Sequence, residues 1–104
     1  MSDVVDITLD VIVERLRKIR PEIRAQGVTR LAVFGSRARG DARTDSDLDI
    51  LVDATSGGQM PPFDLFKVLH LIEDATGITT QISVRDMLKP RIAERISDDL
   101  VEVF

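Results

Sequence analysis

The order of apolar and polar residues predicts an α/β (α+β) fold in which helices pack mainly on one face of a small sheet. Apolar residues recur at helical spacing near the start, the middle and the end of the chain. Short runs rich in β-branched residues lie between these segments, which gives the order α-β-β-α-β-α. With 104 residues, the chain is long enough for one domain, residues 1–104.

Four segments are predicted to be helical: residues 9–19, 21–27, 63–75 and 90–99. Thr8 is a candidate N-cap for the first, and Gly77 is expected to close the third. The apolar residues of the third helix are core candidates: Phe63, Phe66, Leu69 and Ile72. The single histidine, His70, belongs to its polar stripe and is expected at the surface, and the basic residues of the last helix region are expected on a solvated face: Lys89, Arg91 and Arg95.

Three segments are predicted to be strands: residues 28–34, 48–53 and 78–84. The stretch 54–62 contains several glycines and prolines and is predicted to be a loop. The final five residues, LVEVF, are expected to form an apolar tail.

Composition excludes several classes of protein. The net charge of −4 and the lack of tryptophan and tyrosine argue against direct nucleic-acid binding, which uses basic and aromatic surfaces. The lack of cysteine excludes disulfides and cysteine-based zinc sites and is compatible with a cytoplasmic location. We expect no signal peptide and no membrane span, because the first residues are acidic and no apolar run approaches ~20 residues.

The loop after the first predicted strand, GSRARG, contains the parts of a phosphate-binding turn. Gly35 can adopt backbone angles closed to other residues, and Ser36 adds a hydroxyl donor. A helical turn beginning near Ser36 would present free N–H groups to an anion. Arg37 and Arg39 supply guanidinium groups that can grip phosphate with two donors. A plain turn without a ligand is the alternative interpretation.

Ten residues separate Ser36 from the first of two aspartates, Asp47 and Asp49, which lie at the start of the second predicted strand. Residues two apart in a strand share a face, so their carboxylates are expected to point the same way. Two such charges a few ångströms apart repel by ~3 kcal/mol at an effective dielectric constant of about 20. Mg²⁺ would offset this repulsion, since it takes carboxylate, water and phosphate oxygens as ligands. A solvated acidic strand face is the alternative.

The stretch GSRARGDARTDSDLD resembles the G-S-x(10)-D-x-D signature of the polymerase-β-type nucleotidyltransferase superfamily, and the chain as a whole is similar to its minimal nucleotidyltransferase (MNT) domains. This resemblance implies a nucleotidyltransferase fold with a mixed sheet. It also implies that Gly35 and Ser36 hold the triphosphate of ATP, and that Asp47 and Asp49 ligate Mg²⁺ and are catalytic. The implied reaction is attack of a hydroxyl on the α-phosphate. The implied partner is a HEPN-domain toxin, because MNT proteins are often antitoxins that transfer AMP to such a toxin.

One position departs from the family pattern. The third carboxylate of the family is expected where Gln81 stands. A neutral amide cannot act as a general base and adds no charge to a second metal site. Asp53 shares the face of the aspartate pair but lies too far along the strand to replace that acid. The sequence leaves open whether catalysis is weakened, whether the partner supplies the missing group, or whether the domain only binds nucleotide.

Three functions therefore remain as alternatives: AMP transfer to a toxin partner, an antitoxin that acts by binding alone, and nucleotide transfer to a small-molecule alcohol such as an aminoglycoside. The short chain counts against the third, because we expect no second domain that could build the alcohol pocket. The nucleotide base, the number of metal ions and homo-oligomer formation are left open by the sequence.

Overall fold

The computed structural model describes residues 7–54 and 64–104, and within them four strands form one mixed sheet. The helices are α1 (Leu9–Lys18), α2 (Arg20–Arg24), α3 (Ser36–Arg39), α4 (Leu65–Thr76) and α5 (Pro90–Ser97). The strands are β1 (Val28–Phe34), β2 (Leu48–Ala54), β3 (Thr80–Val84) and β4 (Val101–Glu102), and a 3₁₀ turn, Arg85–Met87, follows β3. The predicted α/β (α+β) class is confirmed.

The sheet has the order β3-β2-β1-β4. Strand β2 pairs with β1 in the antiparallel direction and with β3 in the parallel direction, as a crossover through α4 requires. Asp49 therefore lies opposite Phe34 on one side and beside Gln81 on the other. This register places the end of β1 and the beginnings of β2 and β3 at one end of the sheet.

Apolar side chains from the sheet and from α1, α2 and α4 form one core. Every second residue of β2 faces it, namely Leu48, Ile50 and Val52, and each is fully buried. The helices α1 and α4 pack against each other over this face. The alternation leaves Asp49 and Asp53 on the opposite face of β2.

Helix boundaries follow the predicted capping residues. The Thr8 side chain accepts a hydrogen bond from the N–H of Val11, and Gly77 closes α4 in the left-handed conformation. Phe66 was predicted to be in the core and is instead 73% exposed, because α4 turns Val68 and Ile72 inward and Phe66 lies on another side of the helix. Phe63 and most of the predicted loop 54–62 lie outside the described residues, whereas Ala54 is the last residue of β2.

The C-terminal tail contains a strand that was not predicted. Val101 and Glu102 form β4, which pairs with Val33 and Ala32 of β1. The Leu31 carbonyl accepts from the N–H of Val103, and the Leu31 N–H donates to the carbonyl of Phe104. The prediction of a simple tail was wrong because five residues are too few to show a pattern, whereas the edge of β1 offers them backbone partners.

None of the helices within residues 7–54 and 64–104 is both long enough and apolar enough to cross a membrane.

Ile50 provides a test of the core. It is fully buried on β2, between the two neighbouring strands. We expect Ile50→Ala to lower the free energy of unfolding by about 2–5 kcal/mol, because it removes apolar contacts and leaves a cavity. Urea denaturation measures this loss. The matched control Ile92→Ala, at a position 43% exposed, should change stability by less than about 1 kcal/mol. Equal losses for the two variants would contradict this assignment of the core.

Candidate functional site

The backbone of Gly35 lies directly against the carboxylate of Asp49. Gly35 joins β1 to α3 with φ 78° and ψ −157°, a conformation that is essentially restricted to glycine. A Cβ atom at this position would collide with Asp49 Oδ2. The glycine predicted from the sequence to make a sharp turn is therefore also what allows the turn and the acidic strand to meet.

Helix α3 begins at this turn, as expected for a helical turn near Ser36. The Gly35 carbonyl accepts hydrogen bonds from the N–H groups of Ala38 and Arg39, and the helix ends at Gly40 in the left-handed conformation. Within the described part of the chain, the N–H groups of Ser36 and Arg37 have no hydrogen-bond partner, which is usual for the first turn of a helix. The start of α3 therefore has two backbone N–H groups that can donate to a ligand.

The side chain of Arg37 is buried, whereas a phosphate-binding arginine has to be accessible. It is only 6% exposed, and its Nε and Nη2 atoms donate to the carbonyl of Ser46 at 3.0 and 2.7 Å. Nη2 also lies 3.4 Å from the carbonyls of Arg43 and Thr44. Arg37 thus fixes the loop that ends immediately before Asp47. Its contact with phosphate stays a prediction, and the structure provides it with a loop-stabilising role.

The loop is also held by Ser46, whose Oγ accepts from the N–H of Arg43 at 2.9 Å. Asp47 follows it and immediately precedes β2. Gln81 Nε2 donates to Asp47 Oδ2 at 3.0 Å, so the amide at the expected place of a third carboxylate contacts the first aspartate of the pair. Gln81 also lies beside Asp49 in the parallel register. Two acids and one amide therefore converge at this end of the sheet.

Asp49 has a pKa raised above its ordinary value. Partial burial of its carboxyl is the larger cause, since a charge is less stable where water is excluded, and the neighbouring charge of Asp47 adds to the effect. The positive charge of Arg39 opposes this rise in the pKa of Asp49. The environment thus disfavours the ionised form of the carboxylate that the sequence signature implies as a ligand.

Arg39 is held between two further acids. Its Nε lies 3.1 Å from Asp41 Oδ2, and its Nη1 lies 2.8 Å from Asp99 Oδ2. Hydrogen bonds and charge from these partners raise the pKa of Arg39, with Asp41 as the largest cause. Asp99 was not among the predicted site residues. It is 60 positions away in sequence and belongs to no motif, so no local pattern could have indicated it.

The structure brings most of the predicted site residues to one end of the sheet: Gly35, Ser36, Arg39, Asp47 and Asp49. Asp53 is not among them, because it lies further along β2 and pairs with Arg85 at 2.7 Å. His70 is exposed on α4, as predicted, and the basic residues of the last helix region are exposed as well: Lys89, Arg91 and Arg95.

The donor set fits a hard divalent cation. Asp47 and Asp49 supply carboxylate oxygens, and a cation between them would offset the repulsion that contributes to the raised pKa of Asp49. Residues 7–54 and 64–104 contain no group of three or more histidine, cysteine, aspartate or glutamate side chains that could hold a metal ion. The remaining ligands of such an ion would therefore have to come from water and from phosphate, as is usual for Mg²⁺.

Comparison with known proteins identifies the family. A family model described as the nucleotidyltransferase domain matches residues 13–103, which is most of the chain. The chain belongs to this nucleotidyltransferase family, and the enzyme class and the fold that the signature implied are confirmed.

One relative is the protein adenylyltransferase MntA of Thermococcus cleftensis, which is 35% identical over 101 residues, covering 93% of this chain and 97% of that protein. A solved structure described provisionally as a minimal nucleotidyltransferase is 32% identical and covers 86% of this chain and 93% of its own, with a TM-score of 0.65. The fold also matches a complex of a tri-AMPylated HEPN toxin of Shewanella oneidensis with its MNT antitoxin. That match has a TM-score of 0.64 at 10% identity and covers 91% of this chain and 71% of that one.

Gly35 and Gly40 offer a matched test of the close approach. Both have positive φ, but a Cβ at Gly40 meets nothing within 4 Å, whereas one at Gly35 meets Asp49. We expect both alanine variants to lose stability, by about 1 kcal/mol or more each, from backbone strain. Only Gly35→Ala should displace the Asp49 carboxyl, which ¹³C NMR of the aspartate carboxyl groups detects. An unchanged Asp49 resonance in folded Gly35→Ala would contradict the contact.

The raised pKa of Asp49 predicts how stability depends on pH. A carboxyl with a higher pKa in the folded protein destabilises it once ionised, so this cost is absent below the ordinary pKa of aspartate and complete above the raised one. We expect the isosteric variant Asp49→Asn to be more stable than the wild type at about pH 7, with the advantage disappearing at about pH 3.

Urea denaturation in the presence of a chelator measures this difference at the two pH values. Asp45→Asn, at an exposed position two residues before Asp47, removes the same charge outside the pair and serves as control. A gain for Asp49→Asn that persists undiminished at the acidic pH would show that ionisation of Asp49 is not its cause.

Proposed function

We propose that this protein is a Mg²⁺-dependent nucleotidyltransferase that moves AMP from ATP to a hydroxyl group of a HEPN-type toxin, and so acts as an antitoxin. The observation that carries the proposal is the contact between the Gly35 turn and the Asp49 carboxylate in a chain of the nucleotidyltransferase family. The relative named protein adenylyltransferase MntA supports AMP as the group transferred and a protein as the acceptor. The HEPN–MNT complex with the same fold supports the class of partner.

The turn and the aspartates would act on different parts of the nucleotide. The free N–H groups at the start of α3 and the hydroxyl of Ser36 would bind phosphate oxygens, with the Arg39 guanidinium as a third donor. Asp47 and Asp49 would hold Mg²⁺, which when bound neutralises charge on the triphosphate. The acceptor oxygen would attack the α-phosphorus, and the bond to the bridging oxygen would break as pyrophosphate leaves.

The charges around the site support a requirement for a cation. Asp47 and Asp49 meet at the turn, and the nearby Arg39 is already paired with two other acids, Asp41 and Asp99. Arg37 already donates to loop carbonyls. A free triphosphate would therefore meet an excess of negative charge, whereas the nucleotide complexed with Mg²⁺ would meet much less repulsion.

Gln81 motivates a second candidate function, neutralisation of the toxin by binding alone. Its amide donates to Asp47 and cannot remove the proton of the attacking hydroxyl. Under the transfer proposal, that proton has to pass to a group of the partner or to water. Under the binding proposal, the site holds nucleotide without turnover, and the carboxylate pair is not needed for neutralisation.

Transfer is tested with labelled ATP, Mg²⁺ and a purified HEPN-type protein from the same genome, with the product of an adjacent gene as first choice. We expect label on the partner, and a loss of about 100-fold or more for Asp47→Asn and for Asp49→Asn, since each removes charge stabilisation at the reacting phosphate. Asp45→Asn should transfer at the wild-type rate. Wild-type protein that leaves the partner unlabelled would refute transfer.

A growth-rescue assay separates the two candidates. Co-expression of Asp49→Asn with the toxin should fail to restore growth if transfer is the mechanism, and should restore it if binding is sufficient. The variant Gln81→Asp restores the family's carboxylate, and a higher transfer rate in this variant would identify the amide as the group that limits turnover.

A further inference from the structure

The guanidinium of Arg39 forms hydrogen bonds with two aspartates, Asp41 and Asp99. Asp41 binds Nε at 3.1 Å and comes from the same loop, two residues further on. Asp99 binds Nη1 at 2.8 Å and comes from the C-terminal part of the chain. Asp99 is the more buried of the two acids, with 26% of its side chain exposed against 62% for Asp41. The bond to Asp99 is therefore the less exposed to water and the less screened by salt.

Asp99 is held in place by the fold. Its N–H donates to the carbonyl of Ile96 at the end of α5, and β4 begins two residues after it. Strand β4 pairs with β1, with Val101 opposite Val33. Continuing this antiparallel register by two residues brings Asp99 level with Gly35. The C-terminal strand thus places a fixed carboxylate beside the turn that opens the site.

We propose that Asp99 is a positioning residue that holds the Arg39 guanidinium ready for a phosphate group of the nucleotide. This role rests on the proposed function, because it assigns Arg39 to the triphosphate. An arginine side chain without a fixed partner samples many rotamers, and restricting it to one rotamer when the nucleotide binds lowers the affinity. A side chain that is already fixed by Asp99 avoids this cost when the nucleotide arrives.

The geometry favours positioning over blocking of Arg39. The bonds to Asp41 and Asp99 use Nε and Nη1, and Nη2 has no hydrogen-bond partner among the residues that the structure describes. Arg39 is the last residue of α3, the short helix that begins at Gly35, where the backbone meets the Asp49 carboxyl. The remaining N–H groups of Arg39 can therefore donate to the nucleotide while the hydrogen bond to Asp99 stays intact.

The test is a double-mutant cycle on the affinity for ATP with Mg²⁺, measured by isothermal titration calorimetry on the full chain. We expect Asp99→Ala to weaken binding by about fivefold, the size expected for freeing one long side chain. Arg39→Ala should weaken it at least as much. In the Arg39→Ala background, Asp99→Ala should have no further effect, whereas a general structural role would add its effect in both backgrounds.

Asp98→Ala is the matched control, since it removes the same charge one residue earlier at an exposed position. It should leave affinity unchanged, and thermal unfolding should show all variants folded. In transfer assays, Asp99→Ala should raise the KM for ATP with little change in kcat, and Asp99→Asn, which keeps an acceptor oxygen, should have a smaller effect.

An equal effect of Asp99→Ala in both backgrounds would show a general structural role and overturn the positioning role, and two further results would overturn it in different ways. If the wild type binds ATP and Asp99→Ala binds it equally well or more tightly, Asp99 does not position Arg39, and the proposed function stands. If the wild type does not bind ATP with Mg²⁺, both the proposed function and this role are wrong.

Discussion

The close approach of the Gly35 backbone to the Asp49 carboxylate is the constraint on which the site depends. It requires a residue without a side chain, in a conformation that only glycine readily adopts, at the one position where β1 ends opposite the start of β2. The antiparallel register sets this position, since Phe34 pairs with Asp49. A shift of one residue would turn Asp49 into the core and Ile50 outward. Core packing and site geometry are therefore fixed by the same register.

The surrounding contacts hold groups together that would otherwise separate. Asp47 and Asp49 repel each other, and partial burial disfavours the charge on Asp49. Against this, Arg37 ties the preceding loop through the Ser46 carbonyl, and Gln81 donates to Asp47. Neither contact neutralises the pair. The result is a site that is stable enough to form and is left with an excess of negative charge, as expected where local stability is given up for binding.

Much of this arrangement could be predicted from the sequence, because its signals are local. The alternation in β2 separates Leu48 and Ile50 from Asp49, and the turn before Ser36 follows from a glycine after a strand.

The parts that were missed depend on residues distant in sequence. β4 is a strand only because β1 offers an unpaired edge, and Asp99 reaches Arg39 only because β4 is there. The burial of Arg37 was not predicted either, because composition shows charge and does not show burial. Phe66 was misplaced for a similar reason, since an apolar side chain can be assigned to a helix face only once the neighbouring helices are known.

The mixed sheet also separates the protein into two ends with different tolerance for change. The chain enters β2 and β3, and leaves β1, at the end that carries Gly35 and the aspartate pair, while the connections before β1 and after β3 lie at the other end. A fluorophore or an affinity label attached near Gln26 or Asp86 would thus sit about a strand length from Gly35 and Asp49. A substitution at that remote end would leave the contact between the Gly35 backbone and the Asp49 carboxylate in place.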